Sequence, residues 1–338
     1  MKKILFLIVF VMFFSLFISC DDKKQEKDFL SLFNENTVYC ASGVMESFYP
    51  NGRKQSDFKV YYKGQNLIKV ELCQSQYDNN ENKDKQIIIK NKDGVFILIP
   101  SVNKNFKIQS DWPNNISYPY LLISLVKDIK NDDNKVISET EETVCYEVKT
   151  TLRKGKEELK EKIIIDKGTQ LPEEVLIYDE NDDLFIRVVY KNIKLNDNID
   201  DKEFIVDETM NTLKEEINEE LLFTNRTITY PAIIPDGMEL VKESTTSSND
   251  GKDVLSIMKY EGNDRSFTLI EEYINAKEYT TFQQESGDVI NILGNIAIYK
   301  ENSVITVING IEYTIASQDL NINEMVNVIK NFMYDEEK

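Results

Sequence analysis

Cys20 is the residue best placed for covalent chemistry. It follows an uncharged run from Ile4 to Ser19 and precedes Asp21, Asp22, Lys23 and Lys24, so the chain turns from apolar to charged at a thiol. Lys2 and Lys3, the apolar run and the small Ser19 make an export signal that ends before the cysteine. The run falls short of the roughly 20 apolar residues that span a bilayer comfortably; the competing reading is an uncleaved N-terminal anchor. Both put the rest of the chain outside the cytoplasmic membrane. A lipid thioether at Cys20 would bind membrane with about 0.8 kcal/mol per buried CH₂.

The other reactive residue types narrow the chemistry by what is missing. There is no histidine, which removes Ser-His-Asp and Cys-His catalysis and His-containing zinc sites. Cys40, Cys73 and Cys145 lie in strand-like runs without C-x-x-C spacing. They read as small apolar thiols, with one disulfide among them as the alternative. Carboxylates are abundant, with 59 Asp and Glu against 40 Lys and Arg and a net charge of −19. Loss of residues 1–19 would remove two lysines and no acid, leaving the chain more negative still. Such a chain is repelled by nucleic acid and by anionic headgroups. The acidic stretch from Asp179 to Leu184 lacks the glycine of a calcium loop, and Tyr190 stands where its last glutamate belongs. No phosphate loop, G-x-S-x-G or H-E-x-x-H occurs. The sequence therefore implies no enzyme, cofactor or metal.

One stretch concentrates contact chemistry of another kind. "SDWPNNISYPYLLISL" holds the single tryptophan, Trp112, with Pro113, Tyr118, Pro119 and Tyr120. Rings on a proline-stiffened loop offer a large contact area at low entropic cost. Trp112, Pro113, Tyr118 and Tyr120 are thus either a recognition loop or a plug in the mouth of a curved sheet.

The elements that would position these residues are mostly hairpins. Asn91 to Gly94 turns Ile87–Ile89 into Val95–Ile99, and further turns fall at Pro50–Gly52, Gly64–Asn66, Arg153–Lys156 and Asp179–Asp183. Apolar residues on both faces of Val95 to Ile99 call for a cover on each side of the sheet. Leu121, Leu122, Leu125, Val126 and Ile129 have helical spacing, which suggests a curved antiparallel sheet wrapped over a helix. Leu213, Ile217 and Leu221 mark a connecting helix. A second set of strands follows between Val254 and Ile315, including a tight hairpin at Asn309-Gly310. Asn321 and Glu324 resemble a capping box, opening a helix with the apolar stripe Met325, Val328, Ile329, Phe332 and Met333. The expected layout is a signal peptide at 1–19, a lipidated tether at 20–27, a large domain at 28–208, a linker helix at 209–224 and a smaller α+β domain at 225–338.

Leu16, Phe17, Ile18, Ser19 and Cys20 resemble the lipobox of bacterial lipoproteins, with Phe17 where leucine is usual. With the hairpin sheet that follows, the chain resembles the lipoprotein-carrier superfamily of LolA, LolB and RseB-like proteins. That resemblance implies an α+β fold: an N-terminal half-open antiparallel β-barrel with capping helices, then a smaller antiparallel sheet with a helix. Within it, "MESFYPNGRKQSDFKVYYKGQNLIKVEL", "DKQIIIKNKDGVFILIPSVNKNFKIQSDWPNN" and "LPEEVLIYDENDDLFIRVVY" resemble the GerS-related lipoproteins of spore-forming Clostridia. The resemblance implies a non-enzymatic accessory lipoprotein of sporulation or germination. It would sit on the outer face of the cytoplasmic membrane or in the spore envelope, held by lipid on Cys20, and assist a cortex-modifying peptidoglycan amidase. The alternatives are a carrier of lipid or acyl chains and an RseB-like envelope-stress sensor that binds a membrane partner.

Overall fold

The computed structural model describes residues 28–34, 36–50, 52–74, 85–152, 159–216, 228–247, 254–273 and 281–333. Cys20, the signal segment and the tether lie outside the described residues, as does the linker beyond residue 216. No helix among the described residues is long and apolar enough to cross a membrane.

After a one-turn helix α1 (Phe29–Leu32), capped by the Asp28 side chain, the chain builds two sheets. The first runs out through β1 (Val38–Tyr49), β2 (Gly52–Lys63), β3 (Ile68–Gln74), β4 (Gln86–Asn91), β5 (Gly94–Ile99) and β6 (Lys104–Gln109). It then crosses over and returns through β7 (Val136–Glu139), β8 (Thr143–Thr150), β9 (Leu159–Asp166), β10 (Pro172–Tyr178) and β11 (Leu184–Leu195). β11 lies beside β1, so the two meanders form one antiparallel sheet with β6 and β7 at opposite ends. Those ends do not pair with each other, so the sheet stays open. At its centre, β1 and β2 pair along their whole length from Val38↔Lys63 to Tyr49↔Gly52. A bulge at Ser42/Gly43 bends β1 against β11. A Cβ at Gly43 would collide with the Val189 carbonyl and the Phe58 ring, so only glycine permits this approach.

The crossing between β6 and β7 carries residues 110–121 and helix α2 (Leu122–Asn131) over one face. Leu122, Leu125, Val126 and Ile129 are buried there against Val60, Val70, Ile97 and Ile163 in a single apolar core. The opposite face of β4 and β5 presents Ile87, Ile89, Phe96 and Leu98. Ile199, Phe204, Met210 and Leu213 cover them, from the turn after β11 and from helix α3 (Val206–Glu216). Each face of this two-sided apolar hairpin thus has its own cover, as its sequence requires.

The second sheet is antiparallel throughout. Its strands are β12 (Glu239–Ser247), β13 (Val254–Gly262), β14 (Arg265–Tyr273), β16 (Asp288–Ile292), β17 (Asn295–Lys300), β18 (Ser303–Ile308) and β19 (Ile311–Ala316), in the order β12-β13-β14-β19-β18-β17-β16. Helix α4 (Ile322–Lys330) closes its inner face through Met325, Val328 and Ile329, and Phe332 stacks on Tyr313 with 4.3 Å between ring centroids. Asn321 and Glu324 form the reciprocal capping box read from the sequence.

The sheet order holds one departure from an all-antiparallel plan. β15 (Thr281–Ser286) leaves the second stretch of strands and adds to the first sheet parallel to β6, from Thr281↔Lys104 to Ser286↔Gln109. Parallel strands need a long crossover, and here the partners lie about half the chain apart. β15 therefore ties the C-terminal stretch to the edge of the N-terminal one. The Lys104–Glu312 ion pair, buried between them, reinforces the join. So does the buried Gln86 side chain, which donates to the Val307 carbonyl at 2.9 Å and accepts from Ile296 N–H at 2.5 Å.

Cys40, Cys73 and Cys145 are free thiols on β1, β3 and β8. Each is half-buried rather than packed away as the strand pattern suggested. Burial raises the Cys40 and Cys145 thiols above their usual range, which keeps them protonated and unreactive at neutral pH.

Candidate binding cleft between the two sheets

The crossing segment is where the aromatic stretch folds. Trp112, Pro113, Tyr118 and Tyr120 are all buried. Trp112 packs edge-on to Tyr118 at 5.9 Å, and Tyr118 lies 5.9 Å from Tyr120, which in turn abuts Phe58 on β2. The backbone of this stretch is pinned from two sides. Lys90 Nζ donates to the Trp112 carbonyl at 2.9 Å, and Tyr190 O–H donates to the Pro119 carbonyl at 2.9 Å. Burial drives the phenols of Tyr118, Tyr120 and Tyr190 well above their ordinary range, so they act as neutral donors. The interior of the first sheet is therefore filled by the chain's own rings.

Behind the rings sits a buried acid pair. Asp128 on α2 accepts hydrogen bonds from Ser117 Oγ and, at 3.1 Å, from Thr150 Oγ1. Glu161 on β9 is fully buried, and burial and then the neighbouring Asp128 push its carboxyl well above the usual range. Glu161 is held as the neutral acid, because two charges cannot be sustained together in an apolar core.

The space left over lies at the mouth, between the two sheets. Tyr118 and Tyr120 form part of its wall, with Met45 of β1, Ile116, Phe185 and Ile186 of β11. Ile290 to Leu293 form the facing wall, and Ile322, Val326 and Asn327 of α4 a third side. The cleft has a volume of about 250 Å³. Trp112 and Pro113 are not among the wall residues, so the structure divides the aromatic stretch: two tyrosines face the cleft and the indole lies behind them. Tyr118 also crosses the gap, its O–H donating to the Val289 carbonyl at 2.7 Å, and Asn115 Nδ2 donates to Asp288 Oδ1 at 2.8 Å.

Polar groups on the walls are few. Asn291 Oδ1 accepts from Gly294 N–H at 2.9 Å and shapes the β16–β17 turn. Gly294 has φ +91°, and a Cβ there would strike Ser56 Oγ, so glycine is required where the two sheets meet. Glu180 and Lys330 lie at the periphery. Among the described residues no three His, Cys, Asp or Glu side chains gather as a metal site. The walls can bind an apolar group and orient it through an amide.

The sequence could not single out most of this site. Met45, Ile116, Phe185, Ile290, Asn291 and Val326 come from stretches far apart in the chain, and each looks like an ordinary strand, loop or helix residue. Only the crossing segment carried a signal, as a local cluster of aromatics and prolines.

Fold and cleft define a two-sheet α+β binding protein with capping helices and an apolar cleft where the sheets meet. The chain belongs to the family of sporulation proteins described as YdcC-like, whose model matches residues 1–204. It is 29% identical over 321 residues to "Sporulation protein YdcC" of Bacillus subtilis, covering 94% of this chain and 93% of that protein. Neither this family nor the assembled site contains catalytic machinery, and the protein is not an enzyme. Among solved structures, MucB in complex with MucA(peri) is 10% identical with a TM-score of 0.29, covering 87% of this chain and 92% of that one. A LolA superfamily protein of Nitrosomonas europaea is 12% identical with a TM-score of 0.30, covering 54% of this chain and 96% of that one. TM-scores this low establish no common arrangement of atoms.

Proposed function

We propose that this protein is a membrane-anchored accessory protein of sporulation or germination that works by binding an envelope protein partner. The observation that carries the reading is an apolar cleft without catalytic groups, in a chain of a sporulation family. In this reading residues 1–19 are a signal peptide, Cys20 carries the lipid and residues 20–27 are the tether. The bodies at 28–208 and 225–338 then stand on the outer face of the membrane or in the spore envelope, joined through 209–224. The GerS-like segments name the partner class, a peptidoglycan amidase acting on the cortex. Trp112, Pro113, Tyr118 and Tyr120 serve as the plug that closes the first sheet and shapes the cleft. An acyl-chain carrier has less support, because the interior is filled and the 250 Å³ left is below the roughly 300–1,000 Å³ of ordinary small-molecule sites.

Two measurements on the source bacterium test the proposal. Affinity capture of the tagged chain from sporulating cells is expected to recover a cortex-modifying amidase, and deletion to impair spore germination. Capture without any envelope or cortex protein, together with normal spores from the deletion strain, overturns it. Mass spectrometry of the mature N-terminus tests the anchor, with diacylglyceryl on Cys20 expected and an intact Met1 contradicting it.

A further inference from the structure

β16 is the last strand of the second sheet, and only β17 pairs with it. The β16–β17 hairpin closes on Ile292↔Asn295 around the two residues Leu293 and Gly294. In such a hairpin, alternate residues bond across the pair: Ile292, Ile290 and Asp288 face β17, while Asn291 and Val289 turn their N–H and C=O outward. The Tyr118 O–H on the Val289 carbonyl confirms that direction. Tyr118, Ile290, Asn291 and Ile292 all line the cleft, so the free edge of β16 looks into it. The Asn291 side chain adds a second observation. Its Oδ1 is occupied by Gly294 N–H, but its Nδ2 is buried and has no hydrogen-bond partner among the described residues. A buried donor left without a partner costs roughly 1–3 kcal/mol, which an acceptor entering the cleft would recover.

We propose that the cleft binds a short extended peptide segment of the partner, which adds to the edge of β16 and places a main-chain carbonyl on Asn291 Nδ2. This deepens the partner-binding reading above and rests on it. A strand edge is satisfied by main-chain groups. The walls of Met45, Ile116, Phe185, Ile290 and Val326 select apolar side chains, and the 250 Å³ available takes only a few of them. The chain's net charge of −19, with Glu180 at the rim, favours basic residues flanking the apolar ones. The occupant is therefore an apolar β-strand segment bounded by Lys or Arg.

The test uses the full chain and a pool of fluorescein-labelled hexapeptides with terminal lysines and Val, Ile, Leu or Phe at the four central positions, read by fluorescence polarisation. Saturable binding is expected. Asn291→Asp keeps the acceptor for Gly294 N–H but removes the donor, and is expected to weaken binding by about tenfold or more with an unchanged melting temperature. Should that variant melt early, N-methylation of the central peptide amides tests strand addition on the unaltered protein and is expected to abolish binding. Absence of binding from the whole pool overturns the proposal, as does binding that survives both changes. Displacement by palmitate with no effect of N-methylation reassigns the cleft to an acyl chain and likewise overturns it. Envelope-protein capture that persists when peptide binding fails sinks the cleft assignment alone; peptide binding without such capture sinks the broader function.

Discussion

The two sheets bury their inner faces in different ways. The first is filled from the middle of the chain, by the crossing that carries Trp112, Tyr118, Tyr120 and α2. The second is closed from the end, by α4 and the rings that follow it. A mid-chain filling is held at both ends by strands of the same sheet, whereas a terminal helix is held at one. Their buried acids differ accordingly. Glu161 sits beside Asp128 in a fully enclosed core. Glu271 on β14 has no second buried acid beside it; its Oε2 accepts from Thr229 N–H at 3.1 Å, at the start of the segment leading into the second sheet. Burial raises the Glu271 carboxyl to about 7. The first sheet thus carries a sealed acid pair, and the second an acid that titrates near neutrality where an incoming segment docks.

The largest effect is expected from emptying the mid-chain filling. Trp112→Ala removes a fully buried indole and should cost about 3–5 kcal/mol in urea denaturation, as large-to-small core changes do. Trp112→Phe should recover most of that, since Trp112 Nε1 has no hydrogen-bond partner among the described residues to lose. A small loss for Trp112→Ala would mean that the crossing does not hold the first sheet together, and the contrast with α4 would fail.

The join between the sheets comes next. Removing one charge from the buried Lys104–Glu312 pair leaves the other stranded, so Glu312→Gln alone should cost up to about 3–5 kcal/mol. The double variant Lys104→Met with Glu312→Leu should be close to neutral, because well-packed apolar replacements often match a buried ion pair. Equal losses for single and double variants would show that the pair contributes more than mutual compensation. If the single variant splits one unfolding transition into two, β15 and this pair are what make the sheets unfold together.

How far the sequence revealed this contrast depends on the range over which each feature is specified. The Asn309-Gly310 turn, with positive φ at both residues, and the Asn321/Glu324 box are set within four residues, and both were legible. So were the paired covers demanded by Val95 to Ile99. β12 was not, because "ELVKESTTS" is exposed along its whole length and lacks the apolar alternation that marks a strand. β15 was not, because its partner β6 lies far away in sequence and nothing local specifies a parallel addition. The cleft shares that difficulty. The orphaned Nδ2 of Asn291 arises only once the β16–β17 turn has claimed Oδ1, a fact of three-dimensional geometry with no trace in residue spacing.

The smallest effect, and the sharpest on the difference between the two acids, is in the pH dependence. Glu271 has a folded pKa near 7, above its usual 4.5. Its native form therefore binds protons more tightly than the unfolded chain does. The resulting stability is fully present below about pH 4.5 and lost as pH rises through 7. Glu271→Gln mimics the neutral acid and keeps an oxygen for Thr229 N–H, so it should raise the melting temperature at pH 8 by roughly 2–4 °C. The gain should shrink toward zero at pH 5, followed in thermal melts across that range. Glu161→Gln should leave the profile flat between pH 5 and 8, because burial and Asp128 hold that carboxyl neutral throughout. A pH-dependent gain at Glu161 instead of Glu271 would reverse the assignment, placing the titrating acid in the filled core rather than where the Thr229 segment meets the second sheet.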